Sequence, residues 1–142
     1  MTQFNTYDLK EIIEKKGSVL AFDLGIKKIG VAVGNNVLKT SRNLITFYSK
    51  NKNQRIEKIK QLVNEWQPVY LVLGLPLNQD LSANDTTKFC INTAKDIEKN
   101  INLPMLMFEL VLFFHRFSTP LLTFVLAVHV QLLTLPYYFS IQ

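Results

Sequence analysis

Apolar positions along the first part of the chain recur with two different periods. Asp8-Leu9-Lys10-Glu11 has the spacing of a capping box, and Leu9, Ile12 and Ile13 share one face of a short helix over 9–15 that Gly17 stops. Residues 19–22 form an apolar run. Ile29, Val31 and Val33 then alternate with Gly30 and Ala32, the period of a strand over 29–34, and Asn35-Asn36 follows as a turn. A third strand fits 43–48. Ile56, Ile59, Leu62, Val63 and Trp66 return to helical spacing over 53–66, and Pro68 ends that helix. The run 69–74 is apolar throughout, as a parallel strand buried on both faces would be. A polar loop over 75–84 follows. Cys90, Ala94, Ile97 and Ile101 mark a helix over 85–99, and a fifth strand over 104–108 ends at Glu109.

Three strands close in sequence suit an antiparallel meander. The later strands, each preceded by a helix, suit parallel crossovers. The pattern therefore predicts an α/β fold with a mixed sheet flanked by helices.

Composition adds limits to this picture. A chain of 142 residues is large enough for one real core. The formal charge of +5 favours an anionic partner such as nucleic acid. Cys90 is the only cysteine, so no internal disulfide can form, and a reducing, cytoplasmic setting is the simple expectation. Charged residues from Asp8 to Lys16 interrupt any signal-peptide pattern at the start.

The chemistry concentrates in one stretch, Phe22-Asp23-Leu24-Gly25-Ile26-Lys27-Lys28-Ile29-Gly30-Val31-Ala32. An apolar strand ends in a lone carboxylate, turns at a glycine, and carries two lysines. A buried Asp is costly unless its charge has a partner. A metal ion is one such partner, and two adjacent lysines suit a phosphate-bearing substrate. A plain hairpin, with Asp23 capping a turn and Lys27 and Lys28 solvated, explains the local pattern as well.

A second stretch, Leu73-Gly74-Leu75-Pro76-Leu77-Asn78, completes a pair. At this separation, with this strand order between them, the two segments strongly resemble the YqgF family, also called RuvX-like. The resemblance covers 17–109. The family comprises bacterial ribonuclease-H-fold proteins described as Holliday-junction resolvases and as nucleases maturing the 5′ end of pre-16S rRNA. The resemblance implies that Asp23 is the first metal-binding carboxylate, that Gly25 permits the tight turn, and that Gly30 permits a close backbone approach. It implies that Lys27 and Lys28 neutralise phosphates and that Gly74 and Pro76 shape a loop at the carboxyl end of a parallel strand. Asn78 either contacts nucleic acid or closes its own turn. Mg²⁺ or Mn²⁺ is the implied cofactor, with no small-molecule cofactor. The implied partner is pre-rRNA or branched DNA.

The family's second carboxylate comes from an Asp-Glu-Arg motif after the fifth strand. Here Glu109-Leu110-Val111 stands in that place, so Glu109 is the candidate second ligand. Phe114-His115-Arg116-Phe117-Ser118-Thr119 offers another register that keeps the Arg but supplies no acid. The family's third carboxylate, on an Asp-rich helix near the C-terminus, has no counterpart, because residues 110–142 contain no Asp or Glu. The domain reading is accordingly 1–109 for an incomplete ribonuclease-H-like unit and 110–142 for an atypical apolar tail.

Three accounts of the tail stay open: an altered reading frame or divergence, which we prefer, a membrane segment, or a buried helix. The apolar stretch 121–135 is fifteen residues long and holds His129 and Gln131, which is short for a span. His115 and His129 are read as ordinary packed or surface residues, and Asp80, Asp85 and Asp96 as loop, cap and helix-surface residues. Arg42 and Arg55 are read as solvated by default. The function expected is phosphodiester hydrolysis by a nuclease, feeble or lost in this chain. The alternative is a nucleic-acid-binding remnant without catalysis. An actin-like phosphotransferase ranks last, because a second phosphate loop is missing.

Overall fold

The computed structural model describes residues 9–78 and 80–111. Strand β1 (Ser18–Leu24) is its axis. Leu20, Phe22 and Leu24 belong to one face and Val19 and Ala21 to the other, and all five are at most 4 % exposed. A strand buried in this way must also satisfy its backbone on both edges. Strand β2 (Lys28–Asn35) does so antiparallel, from Ser18 opposite Asn35 to Leu24 opposite Ile29. Strand β4 (Tyr70–Leu77) does so in parallel, from Val19 beside Tyr70 to Asp23 beside Gly74. Strand β3 (Thr40–Tyr48) pairs antiparallel with β2, and β5 (Met105–Val111) pairs in parallel with β4. The sheet order is β3-β2-β1-β4-β5. An antiparallel meander followed by parallel strands is the ribonuclease-H-like arrangement expected.

Helices α2 (Lys52–Trp66) and α3 (Asp85–Asn100) make the two crossovers. Both pack on the same face. Ile56, Ile59 and Leu62 from α2, and Cys90, Ala94 and Ile97 from α3, join Leu20, Phe22, Val31, Leu71 and Leu73 in the main core. A smaller cluster on the other face joins Ile12 of α1 (Leu9–Glu14) to Val19, Ala21, Ala32, Tyr70, Val72 and Leu106. Both long helices begin at side-chain caps. Asn51 accepts from the Gln54 amide, and Asn84 forms a reciprocal capping box with Thr87. The 70–73 run is at most 1 % exposed, as a central parallel strand requires.

Three strands are longer than hydrophobic pattern alone predicted. Strand β3 starts at Thr40 rather than residue 43, because pairing with β2 continues past a register shift. Strand β4 continues through Pro76 into what reads as loop, although its pairing with β1 ends at Gly74. Pro76 thus stands where the strand has a neighbour on one side only, which suits a residue with no N–H to donate. Strand β5 runs two residues past the expected boundary at 109, since Pro76 and Leu77 supply partners for Leu110 and Val111. Glu109 therefore lies within the strand, not after it. The expectations for 112–142, and Asp8 of the first capping box, lie outside the described residues.

Ile59 is fully buried between the sheet and α3, so Ile59→Ala should cost about 2–5 kcal/mol in chemical denaturation. Asn64→Ala, at an exposed position of the same helix, should change stability by no more than about 0.5 kcal/mol.

Candidate metal and nucleic-acid site at Asp23

Asp23 follows Val19 and Ala21 in the alternation of β1, so its side chain is on the face opposite the crossover helices. Its lateral neighbours are Gly30 on β2 and Gly74 on β4. Neither carries a side chain. The carboxylate thus stands in a gap three strands wide, bounded by backbone. Burial is the main influence on it and raises its pKa above the ordinary 3.8; the charge of Lys28 acts the other way and is weaker. A desolvated carboxylate with open flanks and too little neighbouring positive charge is an incomplete electrostatic arrangement. A cation would complete it.

The turn that follows is built by close approach. The Gly25 amide donates to the Lys28 carbonyl at 3.0 Å. A Cβ on Gly25 would sit 2.5 Å from that carbonyl oxygen, so the turn excludes any other residue. The same turn sets Lys27 and Lys28 on the surface beside Asp23. Among the described residues neither lysine is in ion-pair contact with a carboxylate.

At the carboxyl end of β4, Asn78 closes its own loop. Its backbone N–H donates to the Ser82 carbonyl, its side-chain Nδ2 donates to Ser82 Oγ at 2.9 Å, and its Oδ1 accepts from Asn84 Nδ2 at 3.0 Å. Since Asn84 caps α3, Asn78 ties the end of β4 to the start of that helix. Asp80 accepts from the Ser82 hydroxyl and amide, which hold its carboxyl below the ordinary range.

From beneath, α3 reaches the same strand end. Cys90 Sγ donates to the Leu24 carbonyl at 3.0 Å, one residue past Asp23. Burial, with the Asp23 charge as a smaller contributor, pushes this thiol up to about 12. It is a packed donor rather than a nucleophile. Periodicity had marked Cys90 only as a core position, and nothing in the sequence pattern signals the bond to Leu24.

Glu109 occupies β5 beside Leu75, one step beyond the lateral row Asp23–Gly74–Phe108. The fold therefore brings the two sequence-predicted acids to the same end of the sheet, with β4 between their strands. Among the described residues no three His, Cys, Asp or Glu side chains come together as a ligand cluster. Among the described residues, the carboxylates that two ions would need are not assembled.

Comparison with known proteins decides the family. The sequence model of RuvX, described as Holliday junction resolvase, matches residues 17–111. The chain belongs to this family. It is 38 % identical over 91 residues to a protein of Nitrosomonas eutropha named "Putative pre-16S rRNA nuclease", covering 64 % of this chain and 58 % of that one. A protein of the same name from Buchnera aphidicola is also 38 % identical over 91 residues, with 64 % and 66 % covered. The chain thus spans about three fifths to two thirds of the length of these relatives. RuvC of T. thermophilus in complex with a Holliday junction substrate aligns over 66 % of this chain and 64 % of its own, with a TM-score of 0.46 and 12 % identity. The RuvX match contains the whole Asp23 arrangement and stops at Val111, the last residue of β5. No helix among the described residues is long and apolar enough to cross a membrane.

Two outcomes follow from this geometry. Gly25→Ala must displace the Lys28 carbonyl, and should cost about 1–3 kcal/mol in thermal or denaturant unfolding. The second concerns pH. A carboxyl whose folded pKa is raised makes the folded state less stable as pH climbs through its ordinary value, and the loss is complete above the folded pKa. In chelator, Asp23→Asn should therefore unfold at higher temperature than the native chain at neutral pH. The difference should shrink as pH falls and vanish below about 3.8.

Proposed function

We propose that the Asp23 end of the sheet is a divalent-metal-assisted phosphodiester site of a nuclease, suited to the 5′ maturation of pre-16S rRNA. In this chain, hydrolysis there is slow at best. The observation that carries the reading is the desolvated Asp23 carboxylate between Gly30 and Gly74, with Lys27 and Lys28 exposed beside it. The names of the relatives point to the same chemistry and to RNA. Branched DNA is the other substrate of this class, by the family description.

Each residue has a definite task in this reading. Asp23 would hold a Mg²⁺ or Mn²⁺ ion; Glu109, the candidate second acid, is at the same end of the sheet but one register step beyond the Asp23 row. When bound, such an ion acidifies water and takes up charge on the phosphoryl oxygens. Lys27 and Lys28 neutralise substrate phosphates. Gly25 fixes the turn that sets them beside the carboxylate. Asn78 holds the β4 loop to the start of α3. A third carboxylate is missing from the described residues, and 110–142 contain no acid, which favours weak metal binding and feeble turnover.

A calorimetric titration with Mg²⁺ or Mn²⁺ and a cleavage assay on a pre-16S 5′ leader RNA and on a four-way junction test this together. Binding of about one ion, lost in Asp23→Asn, with cleavage close to background, is the expected result. Cleavage that is equal in the native chain and Asp23→Asn would remove Asp23 from the site. Nucleic-acid affinity should fall steeply with salt, and Lys27→Gln and Lys28→Gln should each reduce the log–log salt slope by about one.

A further inference from the structure

The end of the sheet remote from Asp23 carries a second feature that the metal site does not use. A cleft of about 210 Å³ opens there, lined by Ser18, Asn35, Thr40, Ser41, Arg42 and Trp66, among others. Among the described residues no carboxylate lines it. Arg42 lies over the Trp66 ring with its guanidinium carbon 5.2 Å from the ring centroid. The indole Nε1 is buried without an acceptor, a donor that costs stability while unsatisfied.

The position of Arg42 has a specific cause. Val31 pairs with Ile45 but Ala32 pairs with Asn43, so Leu44 is an extra residue on β3. Without that bulge Asn43 would stand opposite Val33. With it, Arg42 does, and Arg42 is brought to the helix-bearing face, over the last residue of α2. A cation stacked on an aromatic ring, beside the Ser18 and Thr40 positions on the same face, is a recognition surface for a phosphate with its attached base or ribose.

We propose that this cleft is a second nucleic-acid contact, holding one nucleotide unit of a single strand: its phosphate on Arg42 and Thr40, its base against the Arg42–Trp66 stack. Five residue steps along β1 separate Ser18 in the cleft from Asp23, about 17 Å. The cleft is on the helix-bearing face and Asp23 on the other, so the two would engage nucleic acid at separate places on the same rigid element. The choice of nucleic acid as occupant rests on the reading of the Asp23 site; the cleft itself does not.

Trp66 is the only tryptophan of the chain, so its fluorescence reports this cleft directly. The full chain, in chelator, is titrated with hexauridylate RNA, while anisotropy of a labelled copy reports total binding. A saturable Trp66 change, weakened about tenfold by both Arg42→Gln and Thr40→Asp and unchanged by Asn92→Ala at an exposed position of α3, is expected. RNA that fails to bind, or that binds without a Trp66 change, overturns the proposal. Unchanged affinity in both cleft variants does the same. An equal response to inorganic phosphate or to an acidic peptide shows a general anion site and also overturns it. Loss of the metal-site reading looks different: Asp23→Asn cleaves as the native chain does while the Trp66 response persists.

Discussion

A carboxylate in the middle of a sheet is the constraint around which this molecule is arranged. Asp23 belongs to a buried central strand of the fold, where desolvation raises its pKa. Such a group persists at modest cost only where its surroundings leave room for a compensating ligand. The lateral neighbours provide that room by having no side chains. Gly30 and Gly74 come from strands of opposite direction, one antiparallel and one parallel to β1. The mixed character of the sheet is therefore part of the site. An all-antiparallel meander would not deliver the carboxyl end of β4, with its Asn78 loop, beside Asp23.

The same end of β1 is held from three directions. The Gly25–Lys28 turn closes it along the strand, at a distance no Cβ would tolerate. The Cys90 thiol fixes α3 to the Leu24 carbonyl from below. Asn78 and Asn84 bind the β4 loop to the same helix. These groups determine where Asp23, Lys27 and Lys28 stand relative to one another. Catalytic geometry in a metal-dependent nuclease depends on such supports as much as on the ligands.

The two ends of the sheet differ in character. Near Asp23 the positive charge is mobile, on two exposed lysines beside a buried acid. At the remote end it is planar and stacked, on Arg42 over Trp66. The bulge on β3 produces that second surface without disturbing the core, because its effect is confined to an edge strand.

Much of this was legible in the sequence. The periods of apolar residues located every described helix and strand, because burial on one face or two leaves a signature at spacing 2 or 3.6. The paired segments around Asp23 and Gly74 indicated the family and the leading acid, since a glycine turn beside a carboxylate and lysines is a local arrangement. Strand ends were less legible: Pro76 and Glu109 lie inside strands because their partners across β4 and β5 continue, which is a property of pairing. The glycine gap around Asp23, the thiol on Leu24 and the Arg42–Trp66 stack were invisible in the sequence. Each joins residues distant in the chain through register, and a single extra residue on β3 decides which side chain meets Trp66. Local pattern determined which elements form and where the reactive groups sit on them; only the tertiary pairing decided which of those groups are neighbours.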